Sequence, residues 1–90
     1  MKKLSIYNTY VVMESQEQCD RMKQLCIDNW LPIWEADFAF DFDNVYNNDC
    51  FSYAKDTEEF FIYPISGNEE EIINKIKVTE QEFIELLKTK

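Results

Sequence analysis

Ninety residues, 46% hydrophobic and 16% aromatic, make one domain around a single core and leave no room for a second functional unit. A net charge of −9 argues against direct contact with nucleic acid or anionic lipid. The absence of histidine removes Cys/His and Ser/His/Asp catalysis, while three cysteines without a CxxC pair argue against a disulfide framework and fit a reducing, cytoplasmic setting.

The charge is uneven. Residues 1–13 carry +2, residues 14–31 carry −2, residues 32–54 and 55–73 carry −5 each, and residues 74–90 carry +1. Lys2 and Lys3 precede an apolar stretch broken by Ser5, Asn8 and Thr9, too short and too polar for a signal segment or a membrane span. Thr9 to Glu14, with Tyr10, Val11, Val12 and Met13, predicts a strand that reaches back at most to Leu4. Ser15 and Gln18 then fit a capping box, and Cys19, Met22 and Cys26 recur at helical spacing, with Leu25 and Ile27 widening the face. A helix over about Gln16 to Asp28 follows, with Asn29 as its stop and Pro32 preventing continuation. Cys19 and Cys26 share a helical face, where free thiols act as small hydrophobes.

From Gln24 to Ala54 there is no Lys or Arg for thirty-one residues. Within that stretch Trp34, Ala36, Phe38, Phe40 and Phe42 alternate with Glu35, Asp37, Ala39, Asp41 and Asp43, which predicts a strand over about Ile33 to Asp43 with one apolar and one acidic face. Carboxylates at every second strand position would lie ~6.8 Å apart, half the linear charge density of one DNA strand with a phosphate per ~3.4 Å. One such strand cannot imitate DNA alone; Asp56, Glu58, Glu69, Glu70 and Glu71 would have to broaden it.

Asn44 to Asp49 reads as a turn. Cys50 to Ala54 and Glu59 to Tyr63 read as paired strands around Lys55 to Glu58, with Pro64 ending the second. Glu69, Glu70 and Glu71 suit a short helical turn through Asn74, and Lys75 to Val78 a short strand. Thr79 and Glu82 form a second capping box ahead of a helix over Glu80 to Lys88, carrying Phe83, Ile84, Leu86 and Leu87.

Two metal or catalytic readings of the acidic segment fail, one on spacing and one on chain length. A calcium loop counted from Asp41 would place Tyr46 where glycine is needed and Ser52 where a bidentate Glu is needed. Asp41 and Asp43 after an apolar run look like the DxD of haloacid-dehalogenase-type phosphotransferases, but the chain is too short for that fold. No metal, cofactor or catalytic residue is therefore assigned, and an enzyme is not expected. A lone Gly67 excludes a glycine-rich phosphate loop. Tyr46, Phe51, Tyr53, Phe60, Phe61 and Tyr63 offer an aromatic slot, although core packing accounts for most of them.

The order of Met13-Glu14-Ser15-Gln16-Glu17, Trp30 to Trp34, Glu59-Phe60-Phe61-Ile62-Tyr63 and Val78-Thr79-Glu80-Gln81-Glu82-Phe83 resembles small acidic phage-encoded proteins. Where such chains carry a glycine after the first helix, this one has Asn29-Trp30. The resemblance carries no catalytic residue; it implies an inhibitor or DNA mimic directed at host nucleases, glycosylases, restriction or CRISPR systems.

The expected fold is thus an α+β domain in the order β-α-β-β-β-(β)-α, a mainly antiparallel sheet of four to five strands with two helices on one face. The expected function is occlusion of a basic protein partner, a nucleic-acid enzyme among the candidates, through Glu35, Asp37, Asp41, Asp43 and Asp49. The alternative is a structural module that forms homo-oligomers through Trp34, Tyr46 and Tyr63; a small-ligand binder using the aromatic slot is the third reading.

Overall fold

The computed structural model describes residues 4–42 and 49–88. In chain order the elements are β1 (Thr9–Val12), α1 (Gln16–Asp28), β2 (Asp49–Ala54), β3 (Glu59–Pro64), α2 (Glu69–Ile72), β4 (Ile76–Lys77) and α3 (Glu80–Lys88). The class is α+β as expected, but the order is β-α-β-β-α-β-α, with three helices among the described residues. The four strands form one mixed sheet in the order β3-β2-β1-β4. β2 is antiparallel to both β1 and β3, whereas β4 runs parallel to β1 through Thr9↔Ile76 and Tyr10↔Lys77.

Both longer helices begin on side chains that satisfy open backbone N–H groups. The Ser15 hydroxyl accepts from the Gln18 N–H at 3.1 Å, and the Gln18 side chain accepts from the Glu14 N–H at 2.8 Å. Thr79 and Glu82 form the reciprocal box, at 3.0 and 2.9 Å. α1 ends in a Schellman turn: the Leu31 N–H reaches the Cys26 carbonyl and the Trp30 N–H the Ile27 carbonyl. That turn requires a left-handed residue, and Trp30 supplies it at φ 59° while standing 93% exposed.

Strand alternation divides the sheet into two faces. Register aligns Val11 with Phe51 and Phe51 with Ile62, and these side chains join Cys19, Met22 and Cys26 of α1 and Phe83 of α3 in the main core. Its centre is aromatic: Phe51 stacks on Phe60 at 5.5 Å and 14°, and Phe83 meets Phe51 edge-on at 5.2 Å and 87°. Each buried Phe of this kind stabilises the fold by roughly 1.5–3 kcal/mol relative to exposure. On the opposite face Cys50, Tyr63 and Ile72 form a smaller cluster flanked by Tyr10, Phe61 and Ile65, covered by the four-residue α2.

The predicted acidic strand does not form. Ile33 makes one isolated parallel bridge to Phe60, after which Ala39 N–H bonds back to Ala36 and Asp41 N–H back to Phe38, so the chain turns twice instead of extending. These turns break the alternation: Phe38 points outward at 63% exposure while the adjacent Ala39 and Phe40 are both buried. The physical reason lies in β3, whose outer edge meets this segment at three places. Phe60 N–H donates to Pro32, Trp34 N–H donates to Phe60, and Ile62 N–H donates to Ala39. Matching Trp34 to Phe60 and Ala39 to Ile62 places five residues against two, which an extended strand cannot do. No helix among the described residues is long and apolar enough to cross a membrane.

Candidate functional site

The segment that fails to become a strand builds the wall of a groove instead. Pinned to β3 as far as Ala39, it is held beyond that point by Gln16 in the first turn of α1. The Gln16 amide donates to the Phe40 carbonyl at 3.0 Å and accepts from the Phe42 N–H at 2.7 Å. Between these anchors Trp34 stands edge-on to Phe38, with ring centroids 5.1 Å apart at 90°, and lies 5.0 Å from Phe61 at 67°. Phe61 in turn lies 5.1 Å from Tyr63, two residues along the same strand face.

These four rings line a groove of about 380 Å³, with Ile62 and Pro64 from the β3 edge and Asp41 and Asp49 as its acidic members. Among the described residues its lining contains no Lys or Arg. Apolar walls with one or two charged groups are the usual build of a binding site, and here both charged groups are carboxylates.

Of the five residues expected to contact a partner, Asp41 and Asp49 line this groove, although they differ in character. Asp41 is exposed, whereas Asp49 is buried at 2% exposure at the start of β2, and its backbone carbonyl accepts from the Met13 N–H at 2.8 Å. Glu35 and Asp37 are exposed on the turning segment, outside the groove lining. Asp43, like Tyr46 and the rest of the predicted turn from Asn44 to Asn48, lies outside the described residues, while Asp49, expected to close that turn, begins β2. The regular ~6.8 Å ladder expected of a strand is therefore replaced by separate carboxylates on a turn.

Sequence reasoning gave Trp34 and Phe38 to the inner face of a strand and Phe61 and Tyr63 mainly to the core. It missed Gln16 altogether, since a glutamine at the start of a helix carries no signal for a clamp twenty-four residues away. The four-residue spacing of Trp34 and Phe38 around the turn former Asp37 was the available clue.

A second polar cluster lies on the same sheet face as Tyr63. Lys75, with 6% of its side chain exposed, donates to the Ser52 hydroxyl at 2.6 Å and to the Tyr53 carbonyl, and sits 3.5 Å from Glu71. Burial lowers its pKa below the usual lysine value, with Glu71 opposing that shift. The Tyr63 hydroxyl is buried nearby, facing Ser52 without a well-formed hydrogen bond among the described residues; burial raises its pKa and Ser52 opposes that shift. A lysine beside a serine and a tyrosine has the chemistry of a nucleophile and base, but Ser52 is fully buried and the ammonium is engaged by three acceptors. The cluster works as an internal tie that holds the chain after α2 to the sheet.

The three thiols are buried and free, and burial pushes each up to about 12, so none is a ready nucleophile. In comparisons of sequence and of fold, no family model, curated protein or solved structure matches the chain.

Proposed function

We propose that the protein is a binding module that occludes a basic surface of a protein partner, a nucleic-acid enzyme being the best-fitting class. The observation that carries this reading is the groove beside β3, where four aromatic rings line one concavity with the exposed Asp41 and the buried Asp49, and no cation is among the described residues of the lining. Glu35 and Asp37 add exposed negative charge on the segment that builds its wall. Such a surface attracts positively charged partners over a distance set by ionic strength and excludes anionic ones. The resemblance to small acidic phage-encoded proteins supports an inhibitory role, and three buried free thiols suit a reducing compartment.

The test is capture of partners from host lysate at low and moderate salt, followed by affinity measurement with the purified partner. Reversal of charge at Glu35, Asp37 and Asp41 should remove binding and leave the melting temperature unchanged or higher, because all three are exposed. Unchanged binding by the triple variant would sink the proposal.

Self-association is the second reading, and exposure favours it at positions other than those expected. Trp34 is half-buried and Tyr63 buried, while Trp30 and Phe38 stand exposed at 93% and 63%. An apolar contact through them would give a salt-insensitive dimer in sedimentation, lost on Trp30→Ala or Phe38→Ala.

A further inference from the structure

We infer that the groove beside β3 is a receptor for one arginine side chain projected by the partner, an inference that rests on the binding-module reading above and gives it a chemical target. Trp34 meets Phe38 at 90° and Phe61 at 67°, so the three ring planes differ in direction while lining one groove, and each ring carries a negatively polarised face. A cation within about 6 Å of such faces is attracted to them, with Trp the strongest of the aromatic partners. Asp41 supplies an exposed carboxylate in the same lining, where no Lys or Arg competes for it.

The combination of ring and carboxylate selects among cations. A quaternary ammonium is satisfied by rings alone and has no N–H for Asp41. A lysine ammonium has donors, but it is compact and strongly hydrated and stacks poorly. A guanidinium is planar and weakly hydrated, lies flat on a ring and offers a two-pronged donor edge to a carboxylate at the same time. Its aliphatic stem would also cover Phe38, whose 63% exposure leaves apolar surface in water beside the opening. Gln16 and the β3 edge hold the wall before any ligand arrives, which lowers the ordering cost of binding.

The test uses the full chain, labelled for NMR, titrated with two blocked pentapeptides that differ only in a central Arg or Lys. The Arg peptide should shift the Trp34 indole and the amides of Phe38, Asp41 and Phe61 in a saturable way, with the Lys peptide at least fivefold weaker. Phe38→Ala and Asp41→Asn should each weaken the Arg peptide at least fivefold. Both residues are exposed, so circular dichroism should show both variants folded. Equal responses to the two peptides, or shifts spread over Glu35, Asp37 and Glu69 to Glu71 without saturation at the groove, would overturn the arginine receptor. The binding-module reading fails separately: a partner that binds the wild type and the triple charge-reversal variant alike removes that reading. A partner lost in the triple variant but bound equally by Phe38→Ala keeps it and removes the arginine receptor alone.

Discussion

The two faces of the sheet are built on different terms. On the face of Val11, Phe51 and Ile62, two properly capped helices close over stacked aromatics and thiols, with Thr9 and Asp49 as buried polar members at the strand ends. On the face of Cys50, Ser52 and Tyr63, the cover is a four-residue helix, a buried ammonium and a tyrosine hydroxyl that makes no well-formed hydrogen bond among the described residues, and the groove opens at its edge. One face carries the stability and the other tolerates imperfect packing. Binding surfaces are expected on the second kind, because a groove fully satisfied by its own chain has nothing left for a ligand.

The largest effect expected of a single substitution tests whether stability rests on the first face. Phe60→Ala, which removes a ring stacked on Phe51, should destabilise the fold by about 3–5 kcal/mol, read by urea denaturation. A loss below about 1 kcal/mol would break the comparison, since it would mean the apolar face is not the main support.

Alkali acts on both faces at once. Cys19 and Cys26 on one face and Cys50 on the other ionise at about 12 in the folded chain instead of 9.0, so the stability they contribute is complete below pH 9.0 and is lost as pH rises toward about 12. Each pH step in that window costs about 1.4 kcal/mol per thiol. Cooperative unfolding by circular dichroism is therefore expected below pH 12, and thiol reagents at pH 8 should react only after denaturation. Rapid modification of the native chain would show that one of the faces opens far more easily than its packing implies.

On the second face, Lys75→Met removes the donor shared by the Tyr53 carbonyl and Ser52 and should cost about 1–3 kcal/mol. The pH dependence has a definite sign. A lysine whose folded pKa is lowered is penalised below that pKa and relieved as pH rises to the unfolded value of 10.5. The wild type should therefore gain on Lys75→Met across that window, while the thiol contributions, common to both proteins, cancel. The smallest effect is expected at Tyr63→Phe, which deletes a buried hydroxyl that faces Ser52 without a well-formed hydrogen bond and should be neutral or stabilising by up to about 1 kcal/mol in thermal melts. A clear loss would show that Ser52 satisfies this hydroxyl and that the second face is as well packed as the first.

The same division explains what could be read from the sequence. The caps of α1 and α3 are local patterns, Ser15 with Gln18 and Thr79 with Glu82, and both helices begin where those residues place them. The β2–β3 hairpin was legible for the same reason, with Lys55 to Glu58 between two aromatic runs. The acidic segment was not, because alternation over Trp34 to Phe42 fits a strand only if a neighbouring edge offers matching partners along its length. β3 offers Phe60 and Ile62, and that depends on where the chain crosses the sheet rather than on local preference. Asp49 was misread as part of an exposed acidic cluster because nothing nearby signals that β2 starts there under cover. Asn29 announced the end of α1, but the left-handed position fell to Trp30, where glycine is the residue sequence rules favour.

The three hydrogen bonds between the β3 edge and the segment after α1 have a further consequence for how this chain behaves at high concentration. Phe60-Phe61-Ile62-Tyr63 is apolar and β-prone, a sequence of the kind that recruits other chains into fibrils when its edge is bare. In the native fold Pro32, Trp34 and Ala39 occupy that edge, and Pro64 ends the strand with a residue that has no N–H to offer. The guard is a turning loop rather than a neighbouring strand, so local detachment of residues 32–39, with the rest of the sheet intact, is enough to expose an aggregation template.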